Sequence, residues 1–346
     1  MGIRKEAAVR PTITTVEPAA AITNGEFQIR GQRFAVEGHP RVTIAEEPAS
    51  LMIASDTHIV ARVPEGALTG EIVVHSGRLE SEAWESIVGL PVADSLHPVA
   101  NPAVDREGNV YTTFSGSRGQ KSPVSIYKID SSYTSKPFVT DLMNPTGLAF
   151  DKEGLLYVSS RFDGIIYRIT PTGDMSVFVE GMGVATGIAF DADENLYVGD
   201  RSGTIFKISR SRQIYVFATL EPSIAAYHLA FAPDGYLYIT GPTTSSFDNV
   251  YRISRAGEVE TFHRGLGRPQ GLAFDRQGNL YVAGSLKGRR GVVRMKTTAK
   301  TPDPELFLSG PNIVGLAFAP GGALVLATHG ALFRADVGVT GLRLPQ

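Results

Sequence analysis

GLAFDRQGNLYV, residues 271–282, decides the fold. An apolar run enters a polar turn, and the chain leaves it as a strand rich in β-branched and aromatic residues. The same outline returns as GLAFDKEGLLYV at 147–158 and GIAFDADENLYV at 187–198. Registering the chain on the tyrosine after the turn gives Tyr111, Tyr157, Tyr197, Tyr238 and Tyr281, with Val325 in the sixth place. The spacings are 46, 40, 41, 43 and 44 residues. A third strand follows each turn strand (SIYKI 125–129, IIYRI 165–169, TIFKI 204–208, NVYRI 249–253, VVRM 292–295, ALFRA 331–335), and a fourth is visible in SVFVE 176–180, IYVFA 214–218 and VETFH 259–263. Four strands at a period near 40 describe a propeller blade, and six of them fill residues 98–346.

The third strand carries a cation at one place in every unit: Lys128, Arg168, Lys207, Arg252, Arg294 and Arg334. Four units carry Asp after the first strand: Asp105, Asp151, Asp191 and Asp275, with Ala232 and Ala319 in the other two. The expectation is ion pairing between blades, with aliphatic stems covering the sheet.

Residues 11–88 lack the repeat. PTITTVEP, GEFQIRGQRF, RVTIAEE, THIVARVP and GEIVVHSG alternate apolar and polar residues between Pro and Gly punctuation, which argues a β-sandwich. Residues 1–10 read as a tail and 89–97 as a linker. The fold class is therefore all-β: an immunoglobulin-like sandwich followed by a six-bladed propeller.

The repeats resemble NHL repeats, a six-bladed group bordering the gluconolactonase and senescence-marker-like propellers. The N-terminal pattern resembles the IPT/TIG immunoglobulin-like family, through Pro11, Ile13, Pro18, Gly25, Ile29, Gly31, Phe34, Val42, Ile44, Thr57, Ile59, Val63, Pro64, Gly70 and Val73. In bacterial surface proteins such domains act as spacers or partner modules, and that role is carried over. In some transcription factors they contact DNA. Residues 1–90 hold 8 Lys and Arg against 12 Asp and Glu, a poor match to phosphate.

Composition excludes several chemistries. The absence of cysteine removes disulfides, thiolate metal sites and a cysteine nucleophile. The net charge of −2 does not call for nucleic acid or membrane. No run approaches the ~18 apolar residues of a membrane span, and MGIRKEAAVRPTITT has no signal-peptide core. As written the chain is expected in the cytoplasm; a cell-envelope or secreted location would follow from removal of a leader. A monomer is expected. There is no G-x-S-x-G elbow and no phosphate-binding glycine loop. The loops hold few aromatic residues for base stacking, Phe114, Phe162 and Phe247.

Function is expected where the repeat breaks. At the glycine of GLAF the six units read Asn101, Gly147, Gly187, His228, Gly271 and Gly315. An imidazole at a channel mouth is a candidate base or metal ligand. The loops after the second strands carry Arg118, Lys121, Arg161, Arg201, Lys287, Arg289 and Arg290 against Asp163, Asp200 and Asp248, a positive face on a near-neutral protein. Asn101, Arg118, Arg161, Asp163, Asp200, Arg201, His228, Arg289 and His329 are therefore the candidate ligand-binding residues. The partner expected is a small anionic molecule, a glycan or a protein, bound without catalysis.

The alternative implied by the resemblance is a gluconolactonase-like hydrolase or lyase. Lactonases of that group hold one divalent metal with a Glu of the first blade, an Asn before the inner-strand Gly and an Asp after the second strand. Asp200, in LYVGD, matches the last place; Thr186 and Gln270 stand where the Asn would be, and no Glu opens SLHPVANPA. The related amidating lyases place several histidines on zinc, whereas here the propeller offers His97, His228, His263 and His329. Ca or Zn would have to be held by a rewired set around Asn101, Asp200 and His228, with His228 as the weak catalytic candidate.

Overall fold

The computed structural model describes residues 10–298 and 302–342. These form two compact units: residues up to Leu90 with Leu306–Pro311, and Pro91–Glu305 with the remainder from Asn312.

The first unit is the sandwich. One sheet runs Thr12–Glu17, Glu26–Gln32, His58–Arg62, Ser50–Ala54. The other pairs Arg41–Ile44 with Gly70–Ser76, and Gly70–Ser76 with the start of Trp84–Ala93. Alternation drives the closure: in Glu26–Gln32, Phe27 and Ile29 are buried while their neighbours are not. They pack with Phe34, Val42, Ile44, Ile59, Ile72 and Val74. Ala20–Ile22 pairs in parallel with Ile87–Gly89 and with Leu308–Ser309. Ser309, remote in sequence, accepts the Glu26 N–H on its hydroxyl at 2.8 Å. That recruitment was not legible in the repeat pattern.

In the second unit four separate four-stranded sheets and the strands of the last two repeats line one channel. Blades one to four are complete antiparallel sheets in chain order; the second is Pro145–Phe150, Leu156–Ser160, Ile166–Ile169 and Met175–Val179. Blade six consists of Ile313–Ala319, Ala323–Thr328 and Leu332–Asp336, beside which runs the end of the strand Trp84–Ala93. Val92, Ala93 and Leu96 pack with Val325 and Leu332, and the Leu96 N–H donates to Gly330 O at 3.0 Å. The ring is thus closed by chain that precedes the first blade, which protects the last sheet edge. From sequence, the closing strand of the last blade could come from 85–97 or from TGLRLP 340–345; the described part of the latter lies along blade five, where the Arg276 N–H donates to Thr340 O and the Leu342 N–H to Phe274 O, and residues 343–345 lie outside the described residues.

The repeated aromatic residues hold neighbouring blades together. Tyr197 meets Phe217 of its own outer strand and Phe231 of the next blade's inner strand edge-on, with centroids 4.9 and 5.0 Å away. Tyr111, Tyr157 and Tyr238 repeat the arrangement with Phe138 and Phe150, Phe178 and Phe190, Phe262 and Phe274. The repeated Asp serves the turn beneath. Asp191 accepts the Asn195 N–H at 2.8 Å and the Tyr197 hydroxyl at 3.2 Å; Asp105 and Asp275 do the same for Asn109 and Tyr111, Asn279 and Tyr281.

Where the third-strand cations form ion pairs, the partner lies within the same blade and not in the neighbouring one. Arg252 binds Glu260 of the adjacent outer strand at 2.9 Å, Arg294 binds Glu305, and Lys128 sits 4.0 Å from Asp105 and over the Tyr111 ring. The third strand is flanked by its own second and outer strands, so its side chains reach those first.

Blade four keeps Tyr238 but has Ala232 in place of the Asp, with the same turn hydrogen bonds, Ala232 N–H to Tyr236 O and Gly235 N–H to Ala232 O. Ala232→Asp is expected to give the Tyr238 hydroxyl the acceptor that the other blades provide. Stability should rise by about 1 kcal/mol, read as an increase in urea midpoint; a decrease would mean that the carboxylate is not accommodated in this turn.

Candidate functional site

The repeat glycines make a collar at the start of the inner strands. A Cβ on Gly187 would lie 3.0 Å from His228 Cα and overlap Tyr227 O; one on Gly147 would lie 2.9 Å from Ile188 N; one on Gly315, 2.7 Å from Asn101 Cα. Hydroxyls tie the collar from blade to blade. Ser159 donates to Thr186 O, Thr186 donates to Gly199 O at 2.7 Å, and the Tyr227 N–H donates to Thr186 Oγ1 at 3.1 Å.

The two breaks in the glycine pattern behave differently. Asn101, on blade one, donates from Nδ2 to Leu272 O of blade five at 2.9 Å and accepts the Leu316 N–H of blade six on Oδ1 at 3.1 Å. It is a strut with both ends of its amide engaged. His228 is 2 % exposed, and its Nε2 is buried without a hydrogen-bond partner. Burial alone pushes its pKa down from 6.5 to about 3, because a charged ring would lose its hydration there. The imidazole is therefore neutral at pH 7.

This depression makes a pH prediction. The unfolded chain binds the His228 proton below about pH 6.5 while the folded chain resists it down to about pH 3, so stability is full above that window and falls through it as pH drops. Wild type should lose about 2 kcal/mol more than His228→Phe between pH 7 and pH 5, measured by urea unfolding. Equal losses would show that the ring is already solvated in the folded state.

Three of the loop arginines are brought together. Arg161, half-buried, donates from Nη2 to Gly116 O at 2.7 Å, and its Nε is buried without a partner. Its pKa is lowered first by burial and then by the charges of Arg201 and Arg118. Arg201 donates to Ile224 O at 2.9 Å, and Arg118 is exposed. Among the described residues none of the three has a carboxylate within ion-pair distance. Lys121, by contrast, is paired with Asp141.

The other candidates are placed apart from this cluster or are engaged in their own loops. Asp200 accepts the Val184 N–H at 2.8 Å on one oxygen and the Ser202 hydroxyl on the other. Asp163 caps the Ile165 N–H at 3.1 Å and accepts the Tyr167 hydroxyl at 2.9 Å, which with burial as the larger cause pushes that phenol up to about 12. Arg289 stands in the blade-five hairpin opposite Leu286, and His329 is exposed beyond Ala323–Thr328. His97 holds Ser115 O through Nδ1 at 2.5 Å.

The donors expected of a Ca or Zn centre do not fit one. Asn101 has spent its amide on two blades, both Asp200 oxygens are engaged, and His228 is left without a carboxylate. Among the described residues no group of three His, Asp or Glu side chains is placed to hold a metal.

The channel below the collar is open. A cavity of about 930 Å³ runs from Asn101, Gly147, Gly187 and His228 to the Asp-x-x-Gly turns at the other end, where Asp105, Glu107, Glu153 and Arg276 form its rim. None of the arginines of the loop face lines it. The collar, where the sequence places the mouth, forms one end of this cavity. The sequence carried a signal for this: the residue two places after the collar position is Ala in all six units, Ala103, Ala149, Ala189, Ala230, Ala273 and Ala317. Five of these are half-exposed although they lie on the innermost strands, so what they face is the channel.

Residues 11–81 match the IPT/TIG domain family. No curated protein matches the chain. Among solved structures, a structural-genomics target described as a candidate gluconolactonase has a TM-score of 0.60 at 17% identity, covering 74% of this chain and 94% of its own. A gluconolactonase of Xanthomonas campestris scores 0.58 at 15% identity, covering 72% and 89%. An auxiliary nutrient binding protein of Bacteroides thetaiotaomicron scores 0.54 at 11% identity and covers 95% of this chain and 98% of its own. No helix of the described residues is long and apolar enough to cross a membrane. The chain is an IPT/TIG domain followed by a β-propeller whose fold is similar to that of gluconolactonase-like propellers.

Proposed function

We propose that this chain is a binding protein without catalytic activity, whose NHL-type propeller takes an anionic ligand on the loop face at Arg118, Arg161 and Arg201. One observation carries the reading: a half-buried guanidinium, Arg161, feels the charges of Arg201 and Arg118, its Nε is buried without a partner, and among the described residues no carboxylate lies within ion-pair distance of it. Like charges held together without a counter-ion are unfavourable, and an anion relieves them through charge-assisted hydrogen bonds. A small carboxylate or phosphate compound, an acidic glycan and an acidic protein loop offer the same groups. The likeness to a nutrient binding protein over both domains agrees with binding as the role.

The alternative reading, a metal-dependent hydrolase or lyase, has the fold of the gluconolactonases behind it. Against it stand the engaged donors of Asn101 and Asp200.

The test is calorimetric titration with citrate at low ionic strength. Binding should weaken at least tenfold in Arg161→Ala and fall with added salt. Citrate binding that is equal in wild type and Arg161→Ala would sink the reading.

A further inference from the structure

The channel cavity offers a second site, independent of the loop face. The six alanines line it, small side chains at one level of the inner strands. The inner-strand residues that follow, Phe150, Phe190, Phe231, Phe274 and Phe318, give it apolar walls. Its volume of about 930 Å³ falls in the range of small-molecule pockets, roughly 300–1,000 Å³. At the collar end stands His228, 2 % exposed and with a buried nitrogen that no described protein group satisfies. Buried polar atoms are rarely left so. The charged residues that line it are Asp105, Glu107, Asp151 and Glu153 against Arg106, Lys128 and Arg276, and none of them belongs to the collar.

We propose that this channel binds an uncharged ring compound whose hydroxyl hydrogen-bonds to His228. The apolar wall accepts the ring. An ionised group at the collar end would find no counter-charge among the residues lining it, so the ligand is neutral there. A hydroxyl both donates and accepts, and so pairs with either tautomer of the imidazole. Entry is from the Asp-x-x-Gly end, opposite the arginines.

The probe is 1-naphthol, titrated calorimetrically into the full chain at neutral pH. Saturable binding near one per chain is expected. Ala149→Leu/Ala273→Leu, which places two larger side chains on opposite blades, should abolish it, and the smaller Ala230→Val should weaken it if the double variant does not fold. His228→Phe, similar in volume but without nitrogens, should weaken it about tenfold. Arg161→Ala should leave it unchanged, which separates this site from the loop face. No saturable binding to wild type, or unchanged affinity in a folded Ala149→Leu/Ala273→Leu protein, would overturn the assignment.

Discussion

Tyr197→Ala is expected to lower the unfolding free energy of the propeller by about 4 kcal/mol. Tyr197 is 4 % exposed and is wedged between Phe217 and Phe231. Removing the ring opens a cavity at the joint between blades three and four and strips two edge-on aromatic contacts at once. Tyr197→Phe separates ring from hydroxyl. It loses only the bond to Asp191, whose carboxylate keeps the Asn195 N–H and side-chain amide, and should cost about 1 kcal/mol. Urea unfolding of both variants decides the point: equal losses would mean that the hydroxyl's bond within its own blade, and not the ring's contact with the next, carries the stability.

Gly187→Ala is expected to cost about 3 kcal/mol, the upper end of the usual range for overpacking. The added methyl meets Tyr227 O and lies 3.0 Å from both Tyr227 C and His228 Cα. These are backbone atoms and cannot rotate aside, so blades three and four must separate at the collar. Gly154→Ala is the contrasting case. Its φ is +84° and nothing lies within 4 Å of the new methyl, so only backbone strain opposes it, at about 1 kcal/mol. The same substitution thus reports two mechanisms. If Gly187→Ala were no worse than Gly154→Ala, the collar would be looser than the contact geometry requires.

The repeat was legible because its parts are local. A turn with Asp and Gly at fixed places, flanked by alternating apolar residues, specifies a hairpin wherever it occurs, and six copies can bury their faces only against each other. Asn101 shows where that reading stops. Its departure from glycine was visible, but its partners are 171 and 215 residues away, and nothing local marks it as a strut. Asp200 sits at the place a lactonase would use, yet its oxygens answer the Val184 N–H and Ser202, a demand set by its own loop. The closing of blade six by the chain at Pro91–Ala93 is likewise a long-range pairing: 85–97 and 340–345 were both candidates, and no local signal chooses between them. The alanine ring is the opposite case: all six residues were in plain sight within the repeat, but an alanine in an apolar strand reads as core until the channel shows which way it faces.

A propeller that binds through its own side chains, as proposed, needs no metal centre. Native mass spectrometry of the untagged protein, after incubation with excess Ca and Zn and then desalting, tests that most directly. The expected result is a mass with no stoichiometric metal, the same for wild type, Asp200→Ala and His228→Ala. One Ca or Zn retained per wild-type chain, and lost in either variant, would contradict it and give the hydrolase or lyase reading the metal site that its fold implies.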